Sequence, residues 1–355
     1  KNLHKSIIKK INSLFKNGDF ILGKEVSLFE KNFKNLCHSK YAISCANGTD
    51  ALTISLKSLN LPKESEVIIP AMTYCSTAFS VINAGLKPVL VDLENLKSTI
   101  DLLDIKKKIT RKTKVIIPVH LYGSVANLNG IKKIIKNKNI YLIDDCAQAH
   151  GALDDSRKSN FKHKIGSSTD ISCFSLYPGK NLGAYGDAGV ITTNNKKLYE
   201  KIKKIRNLGS EKKFIHEYVG MNSRLDTIQA IILNKKIKNL LKYNKKRQYI
   251  AKFYNQNIVN KKIVKLKYSN SSVYHQYVIL VKNKRKITNI LKKRRIQYGF
   301  HYPYAIHQLK VFREKYKNKR FKNAEKLSRE GVSIPIDPNL NKKQLKFIVK
   351  TLNGF

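Results

Sequence analysis

The chain has 355 residues, 42% hydrophobic and 26% charged, a balance that excludes an intrinsically disordered polymer and a small disulfide-stapled scaffold and leaves room for more than one domain. Its formal net charge of +46 draws attention to nucleic acid or an anionic membrane as a partner. The lysines are spread along the whole length in runs such as KKKIT, NKKIKNLLK and LKKRR, mixed with Ile and Asn and without interleaved aromatics, so the surplus reads as solvated surface and no nucleic-acid partner is expected.

The first segment, KNLHKSIIKKINSLF, is amphipathic and basic but lacks the apolar centre of a signal peptide, and no stretch is apolar for long enough to span a bilayer. No membrane association is expected, and the location is expected to be cytoplasmic. Cysteine usage agrees: Cys37, Cys45, Cys75, Cys146 and Cys173 form no C-x-x-C pair, so neither a disulfide framework nor a metal site is expected. Short β-rich runs then alternate with helix-like segments. The runs YAISCA, VIIP, PVLVDL, KVIIPV, IYLID, ISCFSLY and AGVITT predict strands, and TDALTISLKSL, STAFSVINAG, LNGIKKIIKNK and KKLYEKIKKIRNL have helical spacing. This alternation predicts an α/β fold with a mostly parallel central sheet flanked by helices. The periodic stretch LDTIQAIILNKKIKNLLKYNKKRQYIAKFYNQ predicts one long helix, bent or straight, leading out of that domain. Beyond it, a strand in SVYHQYVILVK and helices in KITNILKKRRIQ and NKKQLKFIVKTLN predict a small α/β domain. The expected division is 1–240 for the large domain and 241–355 for the small one, with the N-terminal helix left open to pack on either.

Three segments sit where parallel sheets keep their sites, at the carboxyl ends of strands. In NGTDAL, Gly48 permits close backbone approach and Thr49 adds a hydroxyl to the free N–H groups of a helix start, an anion cradle that also reads as an ordinary turn and N-cap. In IDDCAQAHG, an apolar strand ends in Asp144 and Asp145, with Gln148 and His150 just beyond. A carboxylate there is costly to desolvate unless a cation or donor meets it, and a protonated pyridine nitrogen would serve; Asp145 as a helix N-cap is the plainer reading. In SCFSLYPGKNLGAYGDAG, a strand carrying Ser175 turns through Pro178 and Gly179 to Lys180, which has glycines and apolar residues around it where most lysines of the chain have charged neighbours. Burial lowers a lysine's pKa and makes its amine nucleophilic toward a carbonyl. Lys180, Asp145 and the phosphate donors Gly48, Thr49 and Ser175 together describe a pyridoxal phosphate site.

These segments, with FILGKEVSLFEKNF, IIPAMTYCSTAFSVINAG, PVHLYG, GMNSRLDTIQAIIL, VYHQYVIL, FHYPYAIHQ and VSIPIDP, resemble the DegT/DnrJ/EryC1/StrS family of sugar aminotransferases on the fold-type I architecture of pyridoxal-phosphate enzymes. The resemblance runs through nearly the whole chain. It implies that Lys180 holds the cofactor as a Schiff base, Asp145 meets the pyridine nitrogen, and Gln148 donates near the 3-oxygen. Gly48, Thr49 and Ser175 would hold the phosphate, Tyr74 would stack on the ring, and Asn222 would reach the phosphate of the neighbouring subunit in a homodimer with composite sites. Tyr177, His301 and Tyr302 match positions that approach the sugar, although HYP also reads as a structural aromatic turn. His216 and Tyr218 lie in the loop that the family extends toward the partner's substrate site, and His120 reads as structural or as a support to the site.

The family reaction is ping-pong: an amino acid, expected to be L-glutamate, leaves its nitrogen on the cofactor in the pyridoxamine phosphate form, and a keto-sugar nucleotide collects it. Relatives that dehydrate instead carry histidine in place of Lys180, so the lysine points to transamination. The segment YPGKNLGAYGDAG resembles enzymes acting on dTDP-linked 3-keto-6-deoxyhexoses. A UDP-linked 3-keto uronic acid and a 4-keto-6-deoxyhexose are the rival acceptors, and a basic nucleic-acid-binding protein with a vestigial pocket is the rival outside enzymology.

Overall fold

Runs of Ile, Val and Leu settle as strands because branched side chains suit extended backbone, and a strand covered on both faces can be apolar throughout. The structure, a computed structural model, describes residues 2–154, 163–212 and 214–355. Helices α1 (Asn2–Asn17) and α2 (Lys24–Cys37) precede β1 (Tyr41–Cys45), α3 (Gly48–Ser58), β2 (Glu66–Pro70), α4 (Cys75–Asn83), β3 (Lys87–Val91), α5 (Leu102–Lys108), β4 (Thr113–Ile116), α6 (Leu128–Ile135) and β5 (Tyr141–Asp145). A two-stranded pair, β6 (Leu153–Asp154) with β7 (His163–Lys164), leads to β8 (Ile171–Ser175), β9 (Gly189–Thr193) and α7 (Lys196–Ile205), then to a second small pair, β10 (Ser210–Lys212) with β11 (Ile215–His216). All seven strand segments anticipated from composition meet in one sheet, ordered β1-β9-β8-β5-β4-β2-β3. β9 runs against both its neighbours and the other pairings are parallel, so six strands end on one edge.

Asparagine, abundant in this chain, starts many of the helices. Asn47, Asn127 and Asn195 each accept a backbone N–H of the first turn of α3, α6 and α7, which satisfies a donor the helix cannot use. One face of the sheet is covered by α3 and α7 and the other by α2 and α8 (Thr227–Lys236). Phe33 of α2 is fully buried, with its ring edge-on to Phe174 of β8 at 4.9 Å. Helix α8 carries apolar residues on two sides because it is sandwiched: Ala230 and Leu233 face the sheet, while Ile231 and Ile232 meet Ile7 and Leu14 of α1. The N-terminal helix therefore lies on α8 and not on the C-terminal region, because its apolar stripe finds the outer face of α8 still uncovered.

The long periodic stretch is two helices, α8 and α9 (Leu240–Asn257), joined by a tighter turn at Ile237–Asn239. Ile250, Ala251 and Tyr254 of α9 enter a separate core built on the antiparallel sheet β12 (Ile263–Lys265), β13 (Tyr277–Val281) and β14 (Gly331–Ile334). Helices α10 (Lys284–Lys293), α11 (Lys310–Arg313), α12 (Lys322–Glu330) and α13 (Lys342–Asn353) complete the chain. Among the described residues no helix is long and apolar enough to cross a membrane. Phe33→Ala is expected to cost about 3–5 kcal/mol, since it opens a cavity that the sheet cannot collapse into, and chemical denaturation read by circular dichroism should show the loss.

Candidate active site

At the carboxyl edge of the sheet the chain encloses a cavity of about 730 Å³. Helix α3 begins beneath it. Asn47 caps the helix by accepting from the Asp50 N–H at 2.8 Å, which leaves the first-turn amides beside the cavity free for an anion. A Cβ on Gly48 would lie 2.6 Å from the Ser175 Cβ, so only glycine lets α3 approach β8 this closely. Thr49 donates to the Ser76 Oγ at 2.8 Å, which adds the first turn of α4 to the same wall. Both cap and cradle are therefore present in NGTDAL, and the two readings of that segment coexist.

Strand parity separates the adjacent acids of β5. Asp145 lines the cavity, 5% exposed, and accepts from Thr77 Oγ1 at 2.9 Å and from the Ala147 N–H at 3.1 Å. Burial pushes its carboxyl above the usual range, against the pull of those donors and of Lys180. Asp144 turns away and meets His120, whose Nδ1 accepts from the Ala126 N–H, so that its Nε2 proton faces Asp144 Oδ2 at 3.2 Å. Burial disfavours the Asp144 charge, but hydrogen bonds from His120, Ser172 and Thr169 more than offset it and hold the carboxyl below its ordinary value. His120 is thus a structural partner of Asp144.

Lys180 projects from the turn after β8, where its backbone N–H donates to the Tyr177 carbonyl at 2.9 Å. Desolvation lowers its pKa, opposed by the Asp145 charge, and it is the only Lys or Arg among the described residues lining the cavity. Gln148 is held at both ends: Oε1 accepts from the Tyr122 N–H at 2.5 Å and Nε2 donates to the Tyr302 hydroxyl at 3.0 Å. Tyr74, half-exposed, sits 5.3 Å from the Tyr302 ring. His301 Nδ1 lies 2.8 Å from Ser333 Oγ, and burial, then the nearby Lys180 charge, lowers the imidazole's pKa. Ten of the residues singled out from the sequence therefore meet in one cavity: Gly48, Thr49, Tyr74, Asp145, Gln148, Ser175, Tyr177, Lys180, His301 and Tyr302.

Three do not. Asn222 is exposed beside Asn207, and His216 and Tyr218 lie on the exposed β10–β11 hairpin and just after it, His216 Nδ1 being 2.9 Å from the Leu208 carbonyl. Sequence reasoning also passed over residues that line the cavity. Thr77 is one; a threonine in the first turn of a helix that follows a strand end was the available signal. His275 is another: its Nδ1 lies 3.1 Å from Asn181 Oδ1, next along the chain from Lys180.

A helix start that cradles an anion, a buried carboxylate able to meet a pyridinium and a desolvated lysine, all on the carboxyl edge of a parallel sheet, define the class of fold that binds pyridoxal phosphate. The donor set fits the group, and Gly48 puts no side chain between the start of α3 and Ser175. The model of the DegT/DnrJ/EryC1/StrS aminotransferase family matches residues 1–353, and the chain belongs to that family of pyridoxal-phosphate-dependent sugar-nucleotide aminotransferases. It is 38% identical over 353 residues to the dTDP-3-amino-3,6-dideoxy-alpha-D-galactopyranose transaminase of Aneurinibacillus thermoaerophilus, covering 99% of this chain and 95% of the relative. It is 34% identical over 358 residues to the UDP-N-acetyl-3-dehydro-alpha-D-glucosamine 3-aminotransferase of Acidithiobacillus ferrooxidans, with the same coverage. Among solved structures it resembles S. venezuelae DesV in complex with a ketimine intermediate, with a TM-score of 0.94 and 30% identity over 99% of this chain and 95% of that one.

The raised carboxyl of Asp145 has a consequence for the cofactor-free protein. A group protonated more readily in the folded than in the unfolded chain contributes stability that is present below its unfolded pKa and lost as pH rises through its folded pKa. Asp145→Asn without cofactor should therefore melt at or above the wild-type temperature at pH 8, and its melting temperature should fall less between pH 4 and pH 8. Differential scanning fluorimetry across that range checks both.

Proposed function

We propose that the protein moves an amino group from L-glutamate to a dTDP-linked 3-keto-6-deoxyhexose, as a homodimer with sites shared between subunits. The observation that carries the catalytic part is the convergence of a desolvated Lys180 and a buried Asp145 on one cavity. When bound, pyridoxal phosphate supplies the carbonyl that accepts the amino group and the ring that withdraws electrons from the reacting carbon. Lys180 would hold the cofactor through Nζ and, once an incoming amine has displaced it, that freed Nζ, lowered in pKa by burial, would take a proton from the substrate carbon and return it one position further on. Asp145 keeps the ring nitrogen protonated. Gln148, immobilised between Tyr122 and Tyr302, orients the ring, and Gly48, Thr49 and Ser175 hold the phosphate. Tyr74 covers the ring face, while Tyr177, His301 and Tyr302 contact the sugar from the mouth of the cavity.

The homodimer is supported by charge. A nucleotide diphosphate and a dicarboxylate donor are both anionic, yet the cavity wall offers Lys180 alone against Asp50, Asp145 and Asp187. Further donors have to come from outside this chain's own cavity. Asn222, His216 and Tyr218, which face away from it, supply that second wall in the partner. Next to Asn222, Ser223 donates to Asp50 Oδ2 at 2.7 Å and ties the segment to the start of α3.

The acceptor assignment rests on the YPGKNLGAYGDAG segment and on the similarity to the dTDP-sugar transaminase. Similarity to the UDP-N-acetyl-3-dehydro-glucosamine enzyme favours one second reading, a UDP-linked 3-keto sugar. Incubation with glutamate and a panel of 3-keto and 4-keto sugar nucleotides, with the new amine located by NMR, is expected to give amination at C3 of the dTDP sugar; amination at C4 alone would overturn the assignment. Lys180→Ala should lose the visible absorbance of the bound cofactor and reduce turnover by about 10⁴-fold or more, at least the upper end of what a proton-transfer group contributes.

A further inference from the structure

The segment that follows His301 and Tyr302 folds around a second concavity, of about 360 Å³, which shares no lining residue with the catalytic cavity. Four cations line it: Arg313, Lys317, Lys319 and Arg320. Basic residues are common on this chain, so their number alone decides nothing; three other features do. Two of the four are arginines, in a chain whose basic residues are overwhelmingly lysine, and arginine is the side chain that meets phosphate oxygens in pairs.

The second feature is the imbalance of charge. Among the described residues Glu325 is the only carboxylate in the wall, and it is already engaged by Arg320 at 3.0 Å, by His307 Nε2 at 3.3 Å and by the Phe321 N–H at 3.1 Å. Lys317 reaches only the exposed Glu314, at 3.6 Å, a pairing that solvent screens. Arg313 and Lys319 meet no carboxylate among the described residues.

The third feature is an orphaned group. His307 lines the concavity, is 7% exposed, and its Nδ1 is buried without a hydrogen-bond partner. A buried polar atom left so is costly, and an anion seated beside the ring would favour a proton on the imidazole and ease that cost. Tyr304, 58% exposed, offers an aromatic face at the rim. The volume suits a small molecule and not a polymer.

We propose that this concavity binds a diphosphate-bearing small molecule, held chiefly by Arg313, Lys319 and Arg320, at a site separate from that of the sugar nucleotide being aminated. The assignment stands whether or not the substrate assignment does, because it is tested by binding. Inorganic pyrophosphate is titrated into the full-length, cofactor-loaded protein by calorimetry, while the ring resonances of His307 are followed by NMR. Arg313→Gln with Lys319→Gln removes two exposed cations from the wall, and Lys292→Gln with Lys293→Gln removes the same charge from an exposed helix end elsewhere.

The wall variant is expected to weaken pyrophosphate binding about tenfold or more and the control less than twofold, with His307 resonances moving in wild type and control alone. Equal weakening in the two variants, or His307 resonances that stay in place, would overturn the proposal by assigning binding to diffuse surface charge. Orthophosphate should bind at least about tenfold more weakly than pyrophosphate; equal affinity would overturn the diphosphate assignment. An unchanged melting temperature in both variants confirms that the fold is intact.

Discussion

Everything at the carboxyl edge of the sheet depends on one buried carboxylate facing one buried amine. Asp145 and Lys180 each resist ionisation when desolvated, and each eases the other's charge. Such a pair is costly unless the scaffold holds it rigidly, which the central parallel strands β5 and β8 do, with Thr77 and the Ala147 amide supplying donors to the acid. The cost is what makes the site useful. A carboxylate poised for a cation and an amine poised for a carbonyl are complementary to a cofactor that brings both a pyridinium and an aldehyde.

The phosphate end is built by a different constraint, the closeness of α3 to β8. With 2.6 Å between a virtual Cβ on Gly48 and the Ser175 Cβ, the approach is set by the absence of a side chain and not by an added contact. The first turn of the capped helix and Ser175 then line the same cavity, where helix-start amides favour an anion. Gly48, Asp145 and Lys180 thus stand at the carboxyl ends of three different strands, β1, β5 and β8. A misplacement of any one by about 1 Å loses the geometry of the others.

Much of this was legible in the sequence because the sheet is covered on both faces: YAISC, EVIIP, YLIDD and ISCFS carry continuous apolar runs that only a buried strand explains. The small sheet was less so. IVK and GVSI are three and four residues long, too short for periodicity to register, and only YVILV announced itself. The bend between α8 and α9 was left open by a pattern that ran on through Ile237–Asn239. The partner of the N-terminal helix was left open because the outer face of α8 reads as core from sequence and turns out to be core on two sides. Lys180 was visible through its neighbours, whereas Thr77 and His275 were not, since a threonine in a helix and a histidine in the bend before a strand have many ordinary uses. Asn222, His216 and Tyr218 show a different limit. No property of one chain places a residue in the cavity of another.

The adjacent acids of β5 show how far a two-residue period can carry chemistry. Asp144 and Asp145 are both buried and share a backbone, yet one carboxyl is held below the ordinary range and the other above it. The difference lies in what each face of the strand offers. Three side-chain donors, His120, Thr169 and Ser172, surround Asp144 and fix its charge as a structural clamp beneath the sheet edge. Asp145 receives one side-chain and one backbone donor and is left wanting a cation. Exchanging the surroundings of the two would leave the composition of the chain unchanged and abolish the site. The decisive information is therefore the parity of the strand, which turns one of two identical side chains into a wall and the other into a binding group.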